Sequence, residues 1–297
     1  VKQDDALATF SGFRPLLFSI AYRMLGSVAD AEDMLQEAYI RWQRTAVEEI
    51  QSPRAFLVTV VSRLCINHLE SARARREEYF GQWLPEPVVS GAEEDPFSLL
   101  AVDESVSIAF LVVLERLTPV ERAVFLLREV FDYEYPDIAL VLGKDEANCR
   151  QILRRARQHV ADVRSRFAPS PEERQRLLLE FVRATSTGDL DDLVSILSTD
   201  AILYSDGGGK APATPNLVHG ANSVARAILG ALRKLVPREL TNRIAKVNGV
   251  PGVVSYQAGR PFSVLTLEIA DGRIDSIYII SNPDKLAHLP PLSPTHP

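Results

Sequence analysis

Apolar residues recur at helical spacing through the first half of the chain and fall into strand-like runs only towards its end. Residues 30–42 (DAEDMLQEAYIRW) place Ala31, Leu35, Ala38, Tyr39 and Trp42 on one stripe, the pattern of a helix with a single buried face. Asp30, Glu32, Asp33, Gln36 and Glu37 form the opposite face. Ser52-Pro53 predicts the next helix start, with serine as cap and proline in the first turn. Its stripe is Phe56, Leu57, Val60, Val61, Leu64 and Leu69. Arg73, Arg75 and Arg76 end it, where cations suit the helix dipole. No period survives over residues 80–96, which hold Gly81, Pro85, Pro87, Gly91, Glu93, Glu94, Asp95 and Pro96. That stretch reads as a linker. Trp83 and Leu84 are out of place in a solvated linker and are expected to dock on a folded surface.

Thr118-Pro119-Val120-Glu121 is a capping box that opens a helix running through Val130. A turn at residues 132–135 and a short helix at 136–142, stopped by Gly143, follow. Asp145 or a neighbour caps a longer helix from Glu146 to about Arg166, with Ile152, Leu153, Ala156 and Val160 inward. A short helix, a glycine turn and a basic helix make a helix-turn-helix. Beyond Ala168-Pro169-Ser170-Pro171 the pattern changes. Helices are predicted at 172–187, ended by Gly188, at 190–197 and at 223–235, with a strand at 201–204 and a loop at 206–210. Strands at 250–256, 262–270 and 274–281 close the chain, the last two joined by the hairpin signal Asp271-Gly272. Helices followed by an antiparallel meander predict an α+β domain. The proline-rich end after Pro283 reads as frayed.

The net charge of −6 argues at first against nucleic acid. Its distribution changes the picture. Residues 1–168 hold 20 of the 33 Lys+Arg and 26 of the 39 Asp+Glu; residues 169–297 hold 13 of each. Within the acidic half, residues 63–76 and 144–166 are locally basic. Basic islands in an acidic body suit a DNA reader that also meets a second, basic macromolecule. The chain has room for two or three domains. It shows neither an apolar run of membrane-spanning length nor a signal-peptide pattern at residues 1–10, and its two cysteines, Cys65 and Cys149, suit a reducing compartment. The expected location is the cytoplasm. Cys65 and His68 form a lone CxxH, too little for zinc, so no metal and no cofactor are expected.

Residues 30–42, SPRAFLVTVVSRLCINHLESARARR (52–76) and LTPVERAVFLLREVFDYEYPDIALVLGKDEANCRQILRRARQHV (117–160) closely resemble the extracytoplasmic-function (ECF) sigma factors. The resemblance covers about residues 10–165. It implies a multidomain fold of two all-α domains, a σ2 helical bundle and a σ4 helix-turn-helix. The σ2 domain over residues 1–79 would bind core RNA polymerase and melt the −10 promoter element. After a linker at 80–101, the σ4 domain over 102–168 would read the −35 element. The acidic face, Asp30, Glu32, Asp33, Gln36 and Glu37, matches the part that grips the β′ clamp helices; σ4 would meet the β flap. Residues 46–54 and the following helix match the part that captures flipped bases. Arg63 and Asn67 stand where the family more often shows Asn and Asp, which leaves base preference open, while Arg73, Arg75 and Arg76 would neutralise phosphates. In the basic helix, Lys144, Asn148, Arg150 and Gln151 lie where a recognition helix enters the major groove, with Asn148, Arg150 and Gln151 as base readers. Arg154, Arg155 and Arg157 would hold phosphates.

Residues 172–288 resemble the SnoaL-like, NTF2-like cone-shaped α+β domains, with a Pro-rich tail at 289–297. One ECF subgroup carries such a domain together with motifs like WLPEP (83–87), DGGGK (206–210) and NPDKL (282–286), and all three are present. Trp83, Leu84 and Pro85 are therefore expected to meet Asp206, Gly207, Gly208, Gly209 and Lys210 together with Asn282, Pro283, Asp284, Lys285 and Leu286. This intramolecular contact would regulate a chain that is monomeric when free, whether by repression or activation. Asp206, His219, Tyr204 and Tyr256 are the acid–base candidates of an enzymatic alternative. No pair among them has a spacing that demands catalysis, so no enzyme is expected. A DNA reader fused to a cyclase-like enzyme and a polymerase-independent DNA-binding regulator remain the alternatives.

Overall fold

A computed structural model describes residues 2–45, 50–77, 79–90, 106–161, 169–237 and 239–292. The chain divides into two compact units, Val1–Glu78 with Phe110–Arg164, and Tyr79–Ala109 with Ser165–Pro297. The residues read as a linker thus belong to the same unit as the C-terminal sheet.

In the first unit α1 (Lys2–Leu25), α2 (Val28–Arg44) and α3 (Pro53–Glu77) pack together. α1 shows no clean stripe because Leu17, Phe18, Ile20, Ala21 and Tyr22 are all buried. α2 buries Ala31, Leu35, Ala38 and Trp42 as its period requires, and its start is fixed by Ser27, whose hydroxyl accepts from the Asp30 N–H at 3.1 Å. The Trp42 indole N–H donates to the Ala6 carbonyl at 2.9 Å, tying α2 to α1. At the head of α3 the Ser52 hydroxyl accepts from the Ala55 N–H. α4 (Ile108–Leu114), α5 (Pro119–Glu129), α6 (Tyr135–Leu142) and α7 (Glu146–Ala161) follow. The Thr118–Glu121 capping box is formed in both directions. Gly143 ends α6 in the left-handed region at φ 63°, a conformation glycine adopts without steric cost. The Asp145 carboxylate accepts from the Asn148 N–H at 2.8 Å and caps α7. α5 is anchored on α1 by Arg122, 3 % exposed, whose guanidinium donates to the Met24 carbonyl at 2.6 Å and to Glu115 at 2.8 Å.

The second unit holds α8 (Pro171–Thr187), α9 (Leu190–Ile196), α10 (Ala221–Lys234), α11 (Pro283–Leu286) and seven strands: β1 (Val89–Ser90), β2 (Leu197–Asp206), β3 (Val218–His219), β4 (Leu240–Val247), β5 (Val250–Gln257), β6 (Arg260–Ala270) and β7 (Arg273–Ile280). Their order in the sheet is β1-β4-β5-β6-β7-β2-β3. Strands β4 to β7 form the meander, joined by Asn248-Gly249, Ala258-Gly259 and Asp271-Gly272, all with positive φ. Two-residue turns of this kind match the twist of paired strands. The sheet is not purely antiparallel, because β2 runs parallel to β7. Three of its strands were not read from sequence. β4 is exposed along most of its length, so no apolar alternation marks it. β1 and β3 are two residues each and exist only through their partners.

Strand alternation gives the sheet two covered faces. One packs Leu203, Val253, Leu267 and Ile277 against Leu177, Phe181, Leu193, Val224 and Ile228 of the helices. The opposite parity places Tyr204, Val254, Val264, Tyr278 and Ile280 on the other face, with Tyr204 and Tyr278 stacked at 4.8 Å. Val254, Val264, Tyr278 and Ile280 are buried there, as are Leu84, Val88, Leu286 and Leu289 from the linker and the tail. The tail is tied down rather than frayed up to residue 292: the Leu292 N–H donates to the Gly259 carbonyl at 2.9 Å. Residues 293–297 lie outside the described residues.

Candidate functional site

The centre of the second unit is Asp206, at the end of β2 and 1 % exposed. A buried carboxylate demands partners, and four groups supply them. The Leu84 N–H donates to Oδ2 at 2.8 Å and the Tyr79 hydroxyl to Oδ1 at 2.7 Å. The Gly208 N–H donates to Oδ1 at 3.0 Å. The Lys285 ammonium, 6 % exposed, sits 2.7 Å from Oδ2. Lys285 also donates to the Leu84 carbonyl and stands 4.2 Å over the Trp83 ring, a cation–π contact. One buried ion pair thus holds the Leu84 peptide from both sides, N–H and carbonyl. Asn282 caps α11 by accepting from the Asp284 N–H and donates to the Tyr79 hydroxyl at 2.8 Å. The Gln82 side-chain oxygen accepts from the Ser205 N–H at 3.2 Å, and Lys210 pairs with Asp284 at the rim.

The glycines are required by close approach. A Cβ on Gly207 would lie 2.1 Å from the Ala211 carbonyl oxygen. One on Gly208, already at φ 58°, would lie 2.3 Å from the Asn282 amide. Pro85 is buried with Leu84, while Pro283 opens α11 from an exposed position. The structure therefore brings Trp83 and Leu84 to Asp206, Asn282 and Lys285 in one cluster. Tyr79 and Gln82 belong to it too and were missed in sequence, since nothing in a lone Tyr or Gln at a linker edge announces a buried partner.

Burial pushes the Tyr79 phenol well above the ordinary tyrosine range, helped by the hydrogen bond it gives Asp206 and by that group's charge. The Asn282 contact acts the other way. The folded state thus holds the phenol neutral. Its contribution to stability is fully present below the unfolded value of about 10 and is lost as pH rises beyond it. The stability of the second unit should therefore fall less steeply with pH above about 10 in Tyr79→Phe than in the parent; a difference spectrum against the parent separates this from Tyr278, which burial also raises. Coincident alkaline limbs would show that Tyr79 carries no such linkage.

The other acid–base candidates are not gathered around Asp206. His219 is exposed in β3, Tyr204 stacks on Tyr278, and Tyr256 is buried in β5.

In the first unit the acidic face of α2 is partly paired. Glu32 takes both oxygens to Arg14 at 2.7 Å, Glu37 bonds Arg41 at 2.8 Å, and His68 lies 3.6 Å from Asp30. Asp33 and Gln36 are exposed, with Ile40 beside them, 40 % exposed. Arg63 and Asn67 lie on α3 and both are exposed. The Arg63 guanidinium donates to the Val141 carbonyl at 2.8 Å and the Leu140 carbonyl at 3.2 Å, capping the C-terminus of α6. In this conformation it is engaged by protein rather than open to DNA. The side chains of Arg73, Arg75 and Arg76, and residues 46–49, lie outside the described residues. On α7, Arg150, Gln151, Arg154, Arg155 and Arg157 are exposed and Asn148 is half-buried, with exposed Lys144 just before the helix. Arg150 pairs with Glu146 and stacks over Tyr135; Arg157 pairs with Glu129.

Comparison with known proteins meets this geometry at both ends of the first unit. The family model Sigma-70 region 2 matches residues 9–75 and Sigma-70, region 4 matches residues 107–160. The ECF RNA polymerase sigma factor SigJ of Mycobacterium tuberculosis is 39% identical over 295 residues, covering 96% of this chain and 94% of the relative. The chain belongs to the ECF RNA polymerase sigma factors. The probable ECF sigma factor SigI of the same organism is 33% identical over 289 residues, 96% of each chain. The crystal structure of M. tuberculosis SigJ matches with a TM-score of 0.79 at 37% identity, covering 97% of this chain and 100% of that one. This ECF sigma factor is an alternative sigma factor for transcription initiation, and an α+β sheet domain is fused behind its sigma regions. Its partners are core RNA polymerase and promoter DNA. No helix among the described residues is long and apolar enough to cross a membrane.

Proposed function

We propose that this sigma factor engages the β′ clamp helices through the exposed part of the α2 face, Asp33 and Gln36 with Asp30, Glu32 and Glu37 around them. It reads the −10 element from α3 and the −35 element from α7, with σ4 also resting on the β flap. It works as a monomeric free protein in the cytoplasm, and the C-terminal domain tunes its activity by gripping the linker. The observation that carries the regulatory part is the buried Asp206–Lys285 pair holding the Leu84 peptide. A regulator needs little intrinsic affinity for such a contact, because a tethered partner has an effective concentration that reaches the millimolar range.

The test is run-off transcription with purified core polymerase on a template from the protein's own upstream region, comparing the parent with Asp206→Asn and Lys285→Met. Specific initiation supports the promoter reading, and a changed yield in both variants gives the sign of the domain's effect. Equal yields from all three chains would remove the regulatory part. On the DNA side, Arg155→Ala should weaken promoter binding nearly uniformly across sequences and lower the salt slope by about 1. Gln151→Ala should instead relax preference at one position of the −35 element, at about 1–3 kcal/mol. Equal slopes for Arg155→Ala and the parent would move that arginine out of the phosphate set.

A further inference from the structure

The linker is held a second time, at the turn between β4 and β5. Asn248 is fully buried and sits at φ 48°. Its side chain uses both ends on main-chain groups of the linker. Oδ1 accepts from the Val88 N–H at 2.8 Å. Nδ2 donates to the Val106 carbonyl at 2.8 Å. Its own backbone N–H donates to the Val88 carbonyl at 2.8 Å, and the next linker residue, Val89, pairs with Val247 in the sheet. All three bonds reach backbone atoms: two pair with extended chain at Val88, as sheets do when they capture a peptide at an edge, and the third reaches the Val106 carbonyl, where the chain turns into the next helix.

The turn itself does not call for asparagine. Glycine adopts left-handed backbone more easily, and the two sister turns carry Ala258 and Asp271 at the matching position. Unlike glycine, alanine or an ionised aspartate, asparagine offers both an acceptor for Val88 and a donor for Val106. Asn248 also lies outside all three motifs of the Asp206 cluster.

We propose that Asn248 is a second, backbone-reading anchor of the linker, and that by holding Val88 and Val106 on one amide it sets the promoter spacer length this sigma factor accepts. Fully extended, the chain from Val88 to Val106 would span about 60 Å at roughly 3.3 Å per residue. Both of its ends instead lie within hydrogen-bond reach of a single side chain. The reach left to the −10 and −35 readers is shortened accordingly. The anchor stands on its own geometry; the spacer consequence rests on the assignment of those two readers.

Two variants of the full chain separate the parts. Asn248→Gly keeps the turn and deletes both side-chain bonds. Asn248→Asp keeps an acceptor for Val88 but turns an oxygen towards the Val106 carbonyl. Amide exchange should show the Val88 N–H at least tenfold faster in Asn248→Gly, while the Leu84 N–H, held by Asp206, stays within about threefold of the parent; in Asn248→Asp the Val88 N–H should stay slow. In run-off assays with the spacer lengthened or shortened by up to three base pairs, both variants should initiate over a wider range than the parent. Unchanged Val88 exchange in Asn248→Gly overturns the anchor. Exchange as expected with the parent's spacer profile in both variants overturns the spacer role, and leaves the Asp206 contact as the only regulatory hold. If Asn248→Gly does not fold, the Asn248→Asp spacer profile decides alone.

Discussion

Asp206→Ala should be the most damaging single change in the second unit. It removes the carboxylate that pairs with the buried Lys285 ammonium and strips acceptors from the Leu84 N–H and the Tyr79 hydroxyl. Breaking a buried pair by removing one partner costs about 3–5 kcal/mol. For a unit of this size that corresponds to a fall in melting temperature of roughly 10 °C. The chain has two tryptophans, and Trp42 is buried in the first unit. A change in indole emission therefore reports Trp83 leaving Lys285. Lys285→Met in the same background should recover part of the loss, since replacing both charges is less costly than stranding one. An Asp206→Ala chain with the parent's melting curve and emission would mean that the ion pair contributes nothing to holding the linker.

Arg122→Met should have the second largest effect, in the first unit. Arg122 is an interior guanidinium bonded to the last turn of α1 and to Glu115. The carbonyls at a helix C-terminus carry partial negative charge, so the substitution takes the donor from the Met24 carbonyl and the Arg122 ion pair from Glu115. Glu115 retains solvent access, which limits the loss to about 2–3 kcal/mol. Urea unfolding followed by helix signal measures it, and Glu115→Gln in the Arg122→Met chain should return part of the stability. Additive losses would show that the two groups do not act as a pair.

Much of this was legible from sequence, for identifiable reasons. The stripe Ala31–Leu35–Ala38–Trp42, the Thr118–Glu121 box and the Gly143 stop are local signals whose physics does not depend on the rest of the chain. Asp271-Gly272 was read correctly, and Asn248-Gly249 carries the same signal in plain view. The signal stands alone there, because β4 before it shows no alternation. β4 is exposed along most of its length, and a strand that buries so little of either face has no reason to alternate. β1 was illegible in principle, since two residues become a strand only by meeting Val247 and Lys246. The meeting of Trp83 and Leu84 with residues 206–210 and 282–286 came from motif co-occurrence, not from periodicity. The role of Arg63 shows the opposite limit. Its type and position suit a phosphate or a base, yet here it caps α6, and no sequence pattern tells a helix-capping arginine from a DNA-reading one.

The strand contributed by residues 89–90 bears on how this protein can be cut and recombined. A crossover placed in the Pro-rich stretch near residue 170 looks natural in the chain, yet it would part the sheet from its own edge strand and from the Leu84 and Val88 side chains that line one face. A graft of the C-terminal domain onto another sigma factor would carry its function only if the recipient supplied an equivalent of residues 79–90 and 106. The heritable module here is therefore discontinuous, and its two pieces must change together.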